Sequence, residues 1–212
     1  MEIVFARHGN TFNPGDKVVW VGRETDLPLV EKGLAQAAAA AEVLARVRLV
    51  PDVIYAASLK RTKRFAEIIA ETLGLAAPII DRRLDELDYG AWAGRTNEEI
   101  AQGGPLAQSA MDEWNRSDAW PAVAGWVSQE ADVLDAVRRF AIERLASGDH
   151  VRPLVVSSNG ILRFLPRALL APQIQRDSFK MKTGHLGVID CENGDASLRY
   201  WDVAPADLRD PT

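Results

Sequence analysis

Cysteine is nearly absent from this chain. Cys191 stands alone, which excludes a disulfide framework and any cysteine-built zinc site. Histidine is almost as scarce: His8, His150 and His185 lie far apart and none has metal-ligand spacing, so neither a metal nor a cofactor is expected. No apolar run approaches the ~20 residues that a membrane-crossing helix needs. The opening Met1-Glu2-Ile3-Val4-Phe5-Ala6-Arg7 begins acidic and lacks the pattern of an export signal. Cytoplasmic residence with no membrane partner is therefore expected, and the glycosylation-like Asn115-Arg116-Ser117 is expected to be a chance match. Basic surplus is missing too, since 25 Lys and Arg face 30 Asp and Glu for a formal net charge of −5. A chain without a basic block lacks the surface that nucleic-acid phosphates require. What remains is a 212-residue chain, 47% hydrophobic, long enough to bury a sizeable core, with a small molecule as its expected partner.

Short apolar runs ended by small polar residues alternate with helical patterns. Strands are expected at Glu2–Ala6, Asp52–Ala56, Pro78–Ile80 and Pro153–Ser157. Helices are expected from Glu31 to about Val47 with Leu34, Ala38, Ala41 and Leu44 on one stripe, and from Ser58 to a stop at Gly74 with Phe65, Ile68, Ile69 and Thr72 in step. Two more are expected from Ser128 to Gly148, carrying Val133, Val137, Phe140 and Ala141, and over Ile161–Leu170. Leu186–Asp190 and Ser197–Trp201 flank an Asn193-Gly194 turn, a strong hairpin signal. The order implies an α/β fold, a mostly parallel sheet with an antiparallel edge, and a ligand site at the carboxyl ends of the strands. The stretch from about 91 to 127 fits least. Its Trp92, Trp114, Trp120 and Trp126 are compatible with an insertion that caps the site and equally with a module filling its own core.

Three polar pieces sit at those strand ends. Arg7-His8-Gly9 sets a guanidinium beside an imidazole, and Gly9 permits close backbone approach to a ligand. Arginine offers a planar fork to phosphate oxygens, and a neutral imidazole can attack phosphorus and carry the phosphoryl group. Ser58-Leu59-Lys60-Arg61 brings a second guanidinium, and Asp85-Glu86-Leu87-Asp88-Tyr89-Gly90 a carboxyl able to protonate a leaving alkoxide. Each piece alone also reads as ordinary surface: a structural histidine, a solvated helix start, an exposed acidic loop.

Together, Arg7-His8-Gly9-Asn10-Thr11, Ser58-Leu59-Lys60-Arg61 and Glu86-Leu87-Asp88-Tyr89-Gly90-Ala91-Trp92-Ala93-Gly94 resemble the histidine phosphatase superfamily, in its phosphoglycerate mutase-like branch. The resemblance extends over essentially the whole chain, including Asp26-Leu27-Pro28-Leu29 and Gly33. It implies a single domain over 1–212, a three-layer α/β/α sandwich, and metal-independent phosphoryl transfer on a small phosphomonoester. In that scheme His8 is the nucleophile, Arg7 and Arg61 clamp the phosphate with Thr11, and Glu86 is the acid.

The chain departs from the family pattern at its second histidine, expected after the fourth strand. Val155-Val156-Ser157-Ser158-Asn159-Gly160-Ile161-Leu162-Arg163 places Ser158 there. Losing one such donor costs ~10²–10³ in rate, so slow catalysis is expected, with Ser158 and Asn159 still at a helix start that can bind phosphate. His185 could supply an imidazole instead, or be an ordinary strand-end residue; His150 is expected in a surface turn. Asn13 comes one position earlier than the family's loop asparagine, which leaves that loop's substrate contacts open. The alternative readings are a mutase-type phosphotransferase, which wants more basic residues than Arg95 and Arg116 in the cap, and a silent member that only binds a phosphorylated ligand. If the tryptophans line the pocket, an aromatic or apolar ester is the expected substrate.

Overall fold

The structure is a computed structural model that describes residues 1–145, 152–170, 176–192 and 195–209. Six strands form one sheet in the order β3-β2-β4-β1-β5-β6. These are β1 (Glu2–Arg7), β2 (Val53–Ala56), β3 (Ile79–Ile80), β4 (Pro153–Ser157), β5 (Leu186–Glu192) and β6 (Asp195–Val203). The first four run parallel, with Phe5 opposite Val155 and Tyr55 opposite Val155. Strand β5 runs antiparallel to β1, with Val4 opposite Val188, and β6 antiparallel to β5. The Asn193-Gly194 turn, His150 and the Gly148 helix stop lie outside the described residues.

Two hydrophobic clusters, one on each face, follow from the period of two along each strand. Val4, Ala6, Ile54, Ala56, Leu154 and Val156 point to one face, under α1 (Glu31–Arg46) and α2 (Lys60–Leu73). Ile3, Phe5, Tyr55 and Val155 point to the other, where α5 (Glu130–Phe140) packs with Val133, Val137 and Phe140. Helix, sheet and helix make the three layers. Helix α2 stops at Gly74, whose φ of 67° is the left-handed cap that glycine takes without strain.

Three expectations shift in register. On α1 the buried face is Gly33, Ala37, Ala40, Ala41, Val43 and Leu44, rotated from the Leu34–Ala38 stripe. A Cβ on Gly33 would lie 2.2 Å from the Asn10 carbonyl oxygen, so the small residues must face the loop and sheet for the helix to dock. Thr72 is exposed, leaving Ala66 and Ala70 beside Phe65 and Ile69 on the inner side of α2. The helix expected over 161–170 is two short ones, α6 (Asn159–Leu162) and α7 (Leu165–Leu169), because Pro166 lacks an amide and opens a new helix.

Residues 91–127 contain α3 (Asn97–Ala101), closed by a Thr96–Glu99 capping box, and α4 (Pro105–Ser117). Here the tryptophans fill a core. Trp126 stands edge-on to Tyr89 at 4.8 Å, to Trp114 and Trp120 at 5.0 Å and to Trp92 at 5.6 Å between ring centroids. Edge-to-face pairs of this kind add to burial by aligning ring quadrupoles. Trp20, from the loop after β1, joins the same cluster.

Candidate active site

Strand β1 is the central strand at which the sheet changes from parallel to antiparallel, and its carboxyl end opens into a cleft of about 810 Å³. Backbone bonds fix that end on both sides: the Arg7 amide donates to the His185 carbonyl and the His8 amide to the Ser157 carbonyl, both at 3.1 Å. Gly9 then passes so close to Gly33 that a Cβ would sit 2.4 Å from the Gly33 oxygen. Only glycine permits this approach, which holds the loop beneath the cleft.

His8 is 5% exposed, and its Nδ1 lies 2.7 Å from the Gly9 carbonyl oxygen. That oxygen only accepts, so Nδ1 carries the proton and Nε2 keeps its lone pair. Burial, reinforced by the neighbouring charges of Arg7 and Arg61, holds the imidazole well below its ordinary pKa of 6.5, against the opposing Gly9 hydrogen bond. The ring is therefore neutral at physiological pH, as a nucleophile must be.

Around it stand the guanidinium groups. Arg7 donates to the Met181 carbonyl at 2.7 Å, and its Nε has no partner among the described residues. Arg61, in the first turn of α2 and 1% exposed, donates to the carbonyls of Thr25 at 3.0 Å and Gly22 at 3.3 Å. Backbone carbonyls orient both forks without cancelling their charge. Burial lowers the pKa of each, and the Glu86 carboxylate opposes that shift.

Glu86 is 4% exposed and accepts from the Leu87 amide at 2.9 Å and the Gly160 amide at 3.3 Å. Tyr89, pushed well above the usual phenol range by burial and then by the Glu86 charge, stays protonated and hydrogen-bonds to the same carboxyl. The acid is thus anchored from the 85–90 turn and from α6 together.

Arg7, His8, Thr11, Arg61, Glu86 and Asn159 all line the one cleft. Ser158 is the exception among the sequence candidates: it is fully buried, its Oγ has no partner among the described residues, and it does not line the cleft. Asn159 turns its Oδ1 to the Met181 amide at 2.9 Å. His185 also stays out of the cleft, its Nδ1 held 2.9 Å from Asp202 Oδ1. Of the four tryptophans at 92–126 only Trp114 touches the cleft, joined by Trp20, and the lining mixes the apolar Phe12, Val18, Val19 and Val21 with charged and amide side chains.

Two cations were not picked out in the sequence. Arg163 is fully buried, lies with its guanidinium carbon 4.3 Å from the Trp114 ring centre, and pairs with the buried Asp118. Its signal was the arginine closing the run from Val155. Lys180 sits at the cleft with its Nζ 2.9 Å from Asn115 Oδ1, and nothing in the local sequence announces it. The described residues contain no group of three or more His, Cys, Asp or Glu able to hold a metal ion, and no helix among them is long and apolar enough to cross a membrane.

The family model of the histidine phosphatase superfamily (branch 1) matches residues 3–204. The chain belongs to that superfamily, and it is an enzyme. It is similar to the glucosyl-3-phosphoglycerate phosphatase of Mycobacterium tuberculosis strain H37Rv, 32% identical over 177 residues that cover 79% of this chain and 74% of that one. It is also similar to a 2,3-bisphosphoglycerate-dependent phosphoglycerate mutase of Bifidobacterium longum, 32% identical over 124 residues but over only 48% of that protein. Among solved structures, a mycobacterial glucosyl-3-phosphoglycerate phosphatase in complex with VO3 superposes with a TM-score of 0.76 at 27% identity, covering 95% of this chain and 98% of that one. The α-ribazole phosphatase of Shigella flexneri, with a TM-score of 0.74 at 22% identity over 96% of this chain and 97% of that one, shares the fold.

Proposed function

We propose that this protein hydrolyses a small phosphomonoester through a phosphohistidine at His8, without a metal. The observation that carries the reading is the His8 tautomer, whose Nδ1 is tied to the Gly9 carbonyl while Nε2 is left free in a cleft shared with Arg7, Arg61 and Glu86. In the first step the Nε2 lone pair attacks phosphorus, the bond to the ester oxygen breaks, and the proton that the monoanionic phosphoryl group brings in passes by way of the Glu86 carboxylate to the leaving alkoxide. In the second, water attacks the phosphohistidine, the P–N bond pair returns to Nε2, and Glu86 takes the water's proton and passes it to the phosphate. Inorganic phosphate leaves and the resting state is restored.

Arg7, Arg61 and Thr11 hold the phosphoryl oxygens in this scheme, and positioned charge is the main source of rate for phosphoryl transfer. Ser158 stands where the family resemblance puts a second histidine. Its buried Oγ supports a site that works with one imidazole and turns over slowly. We read residues 91–127 as a cap on one domain spanning 1–212, because Thr96, Asn97, Trp114 and Asn115 border the cleft. Hydrolysis is preferred to mutase chemistry because the glucosyl-3-phosphoglycerate phosphatase of Mycobacterium tuberculosis matches over 74% of its length, and the mutase of Bifidobacterium longum over 48% of its own.

The test is phosphate release from a panel of phosphomonoesters by the protein and by His8→Ala. Release that disappears in the variant supports the reading. Equal release from both overturns the nucleophile, and none from either leaves a ligand-binding protein in a cytoplasmic setting.

A further inference from the structure

Ser158 stands where the family resemblance puts a second imidazole, and it is not on the cleft wall. The residue after it is. Within the turn 157–160 that joins β4 to α6, Asn159 alone lines the cleft that holds Arg7, His8, Arg61 and Glu86. Its carboxamide has a defined orientation. The Met181 amide donates to Asn159 Oδ1 at 2.9 Å, and an amide N–H has nothing to accept with, so the oxygen must be the atom turned to Met181. Nδ2, on the same carbon, carries two N–H donors and makes no hydrogen bond among the described residues. Met181 is fully buried and does not line the cleft, so the oxygen end of the amide points to the interior and the nitrogen end is what Asn159 offers the cleft.

Asn10, also on the cleft wall, differs in this respect: its Oδ1 meets the Thr183 hydroxyl at 2.6 Å, and a hydroxyl can donate or accept, so that contact leaves its amide orientation open. Met181 does more than orient Asn159. Its carbonyl accepts from Arg7 Nη1 at 2.7 Å, so one buried residue holds both the carboxamide and a phosphate-binding guanidinium in place. Donors fixed in advance are the ones that stabilise developing charge without reorganising. We propose that Asn159 Nδ2 donates to a phosphoryl oxygen as His8 attacks, supplying the hydrogen bond that the family resemblance assigns to the second histidine. The proposal rests on the phosphatase reading and adds a catalytic residue to it. An amide does not titrate, so this donor is present at every pH at which the protein is folded.

The experiment removes the carboxamide in two ways and reads steady-state kinetics together with inhibition by vanadate, which mimics the transition state, and by inorganic phosphate, the product. Asn159→Ala is expected to lower kcat by ~10²-fold, the usual cost of one such donor, and to weaken vanadate inhibition by a similar factor while phosphate inhibition changes by less than about threefold. Asn159→Asp keeps an oxygen for the Met181 amide and loses both donors, so it is expected to be no better than Asn159→Ala. Recovery of the parental kcat in Asn159→Asp would mean that only the bond to Met181 matters, and it overturns the proposal. So does a kcat within about twofold of the parent in Asn159→Ala, or an equal weakening of vanadate and phosphate, which marks a ground-state or structural role. If the unmodified protein hydrolyses no ester the phosphatase reading fails by itself, and calorimetry then decides the donor. Vanadate that binds the unmodified protein more tightly than phosphate, and loses that margin in Asn159→Ala, sustains it; a margin that is absent or unchanged removes it.

Discussion

The Gly160 amide donates to Oε2 of Glu86 across 3.3 Å, and a Cβ placed on Gly160 would stand 2.2 Å from Oε1 of the same carboxylate. The same Cβ would lie 2.8 Å from the Tyr89 hydroxyl, so the acid, the phenol and the start of α6 are packed on a missing side chain. Gly160→Ala is expected to push Glu86 off its position and to lower kcat by ~10², the usual cost of an ångström of misplacement. The measurement is steady-state kinetics beside Glu86→Gln. Near-normal turnover in Gly160→Ala would show that Glu86 does not act from this place.

The buried neutral His8 makes a prediction about pH. Its folded-state pKa lies well below 6.5, so below about pH 6.5 the unfolded chain binds a proton that the folded chain does not. This contribution to stability is therefore full above the unfolded value and is lost as pH falls toward the folded value. Thermal melts from pH 7.5 to 5.5 are expected to show the parent losing stability faster than His8→Gln, which has nothing to protonate there. Parallel curves for the two proteins would mean that His8 titrates normally. Because burial and the Arg7 and Arg61 charges hold the ring below the ordinary imidazole range, the acid limb of the rate profile is not expected at the pH of an ordinary imidazole.

Ser158 offers the reverse case, a buried hydroxyl that gains nothing. Its Oγ has no hydrogen-bond partner among the described residues, and Ser158 is not among the residues that line the cleft. Removing such a group abolishes a desolvation penalty without breaking a bond. Ser158→Ala is expected to leave stability equal or up to ~1 kcal/mol higher, with kcat/KM within twofold. A clear fall in phosphate affinity would instead place the hydroxyl on the ligand.

Much of this site was legible because its chemistry is local. Arg7 and His8 end an apolar strand, Arg61 opens an amphipathic helix, and Glu86 sits in a turn whose glycine and aromatic neighbours identify it. Strand faces were readable for the same reason: a period of two separates Val4 and Ala6 from Ile3 and Phe5. What was not legible depends on distant contacts. The rotation of α1 is set by Gly33 meeting Asn10, and Lys180 reaches Asn115 across 65 residues. Burial depth also escaped, since a serine at a helix start reads as accessible while Ser158 is fully buried. The break between α6 and α7 was within reach, because Pro166 inside a helical pattern gives fair warning.

Asp118 carries the last prediction. It is 1% exposed, and its carboxylate accepts from the Ser178 hydroxyl and the Phe179 amide, both at 2.6 Å, while pairing with Arg163 and Arg167. Its φ of 57° places it in the left-handed region at the end of α4, which asparagine also tolerates. Asp118→Asn therefore removes the charge and spares the backbone. It leaves the Arg163 guanidinium buried without a counter-ion, at a cost of ~3–5 kcal/mol. Urea denaturation is expected to show that loss, and Asp118→Asn combined with Arg163→Met is expected to recover a substantial part of it, because the double variant has no stranded charge. Additive losses in the double variant would mean that Asp118 acts through its hydrogen bonds to Ser178 and Phe179 and not as the partner of Arg163.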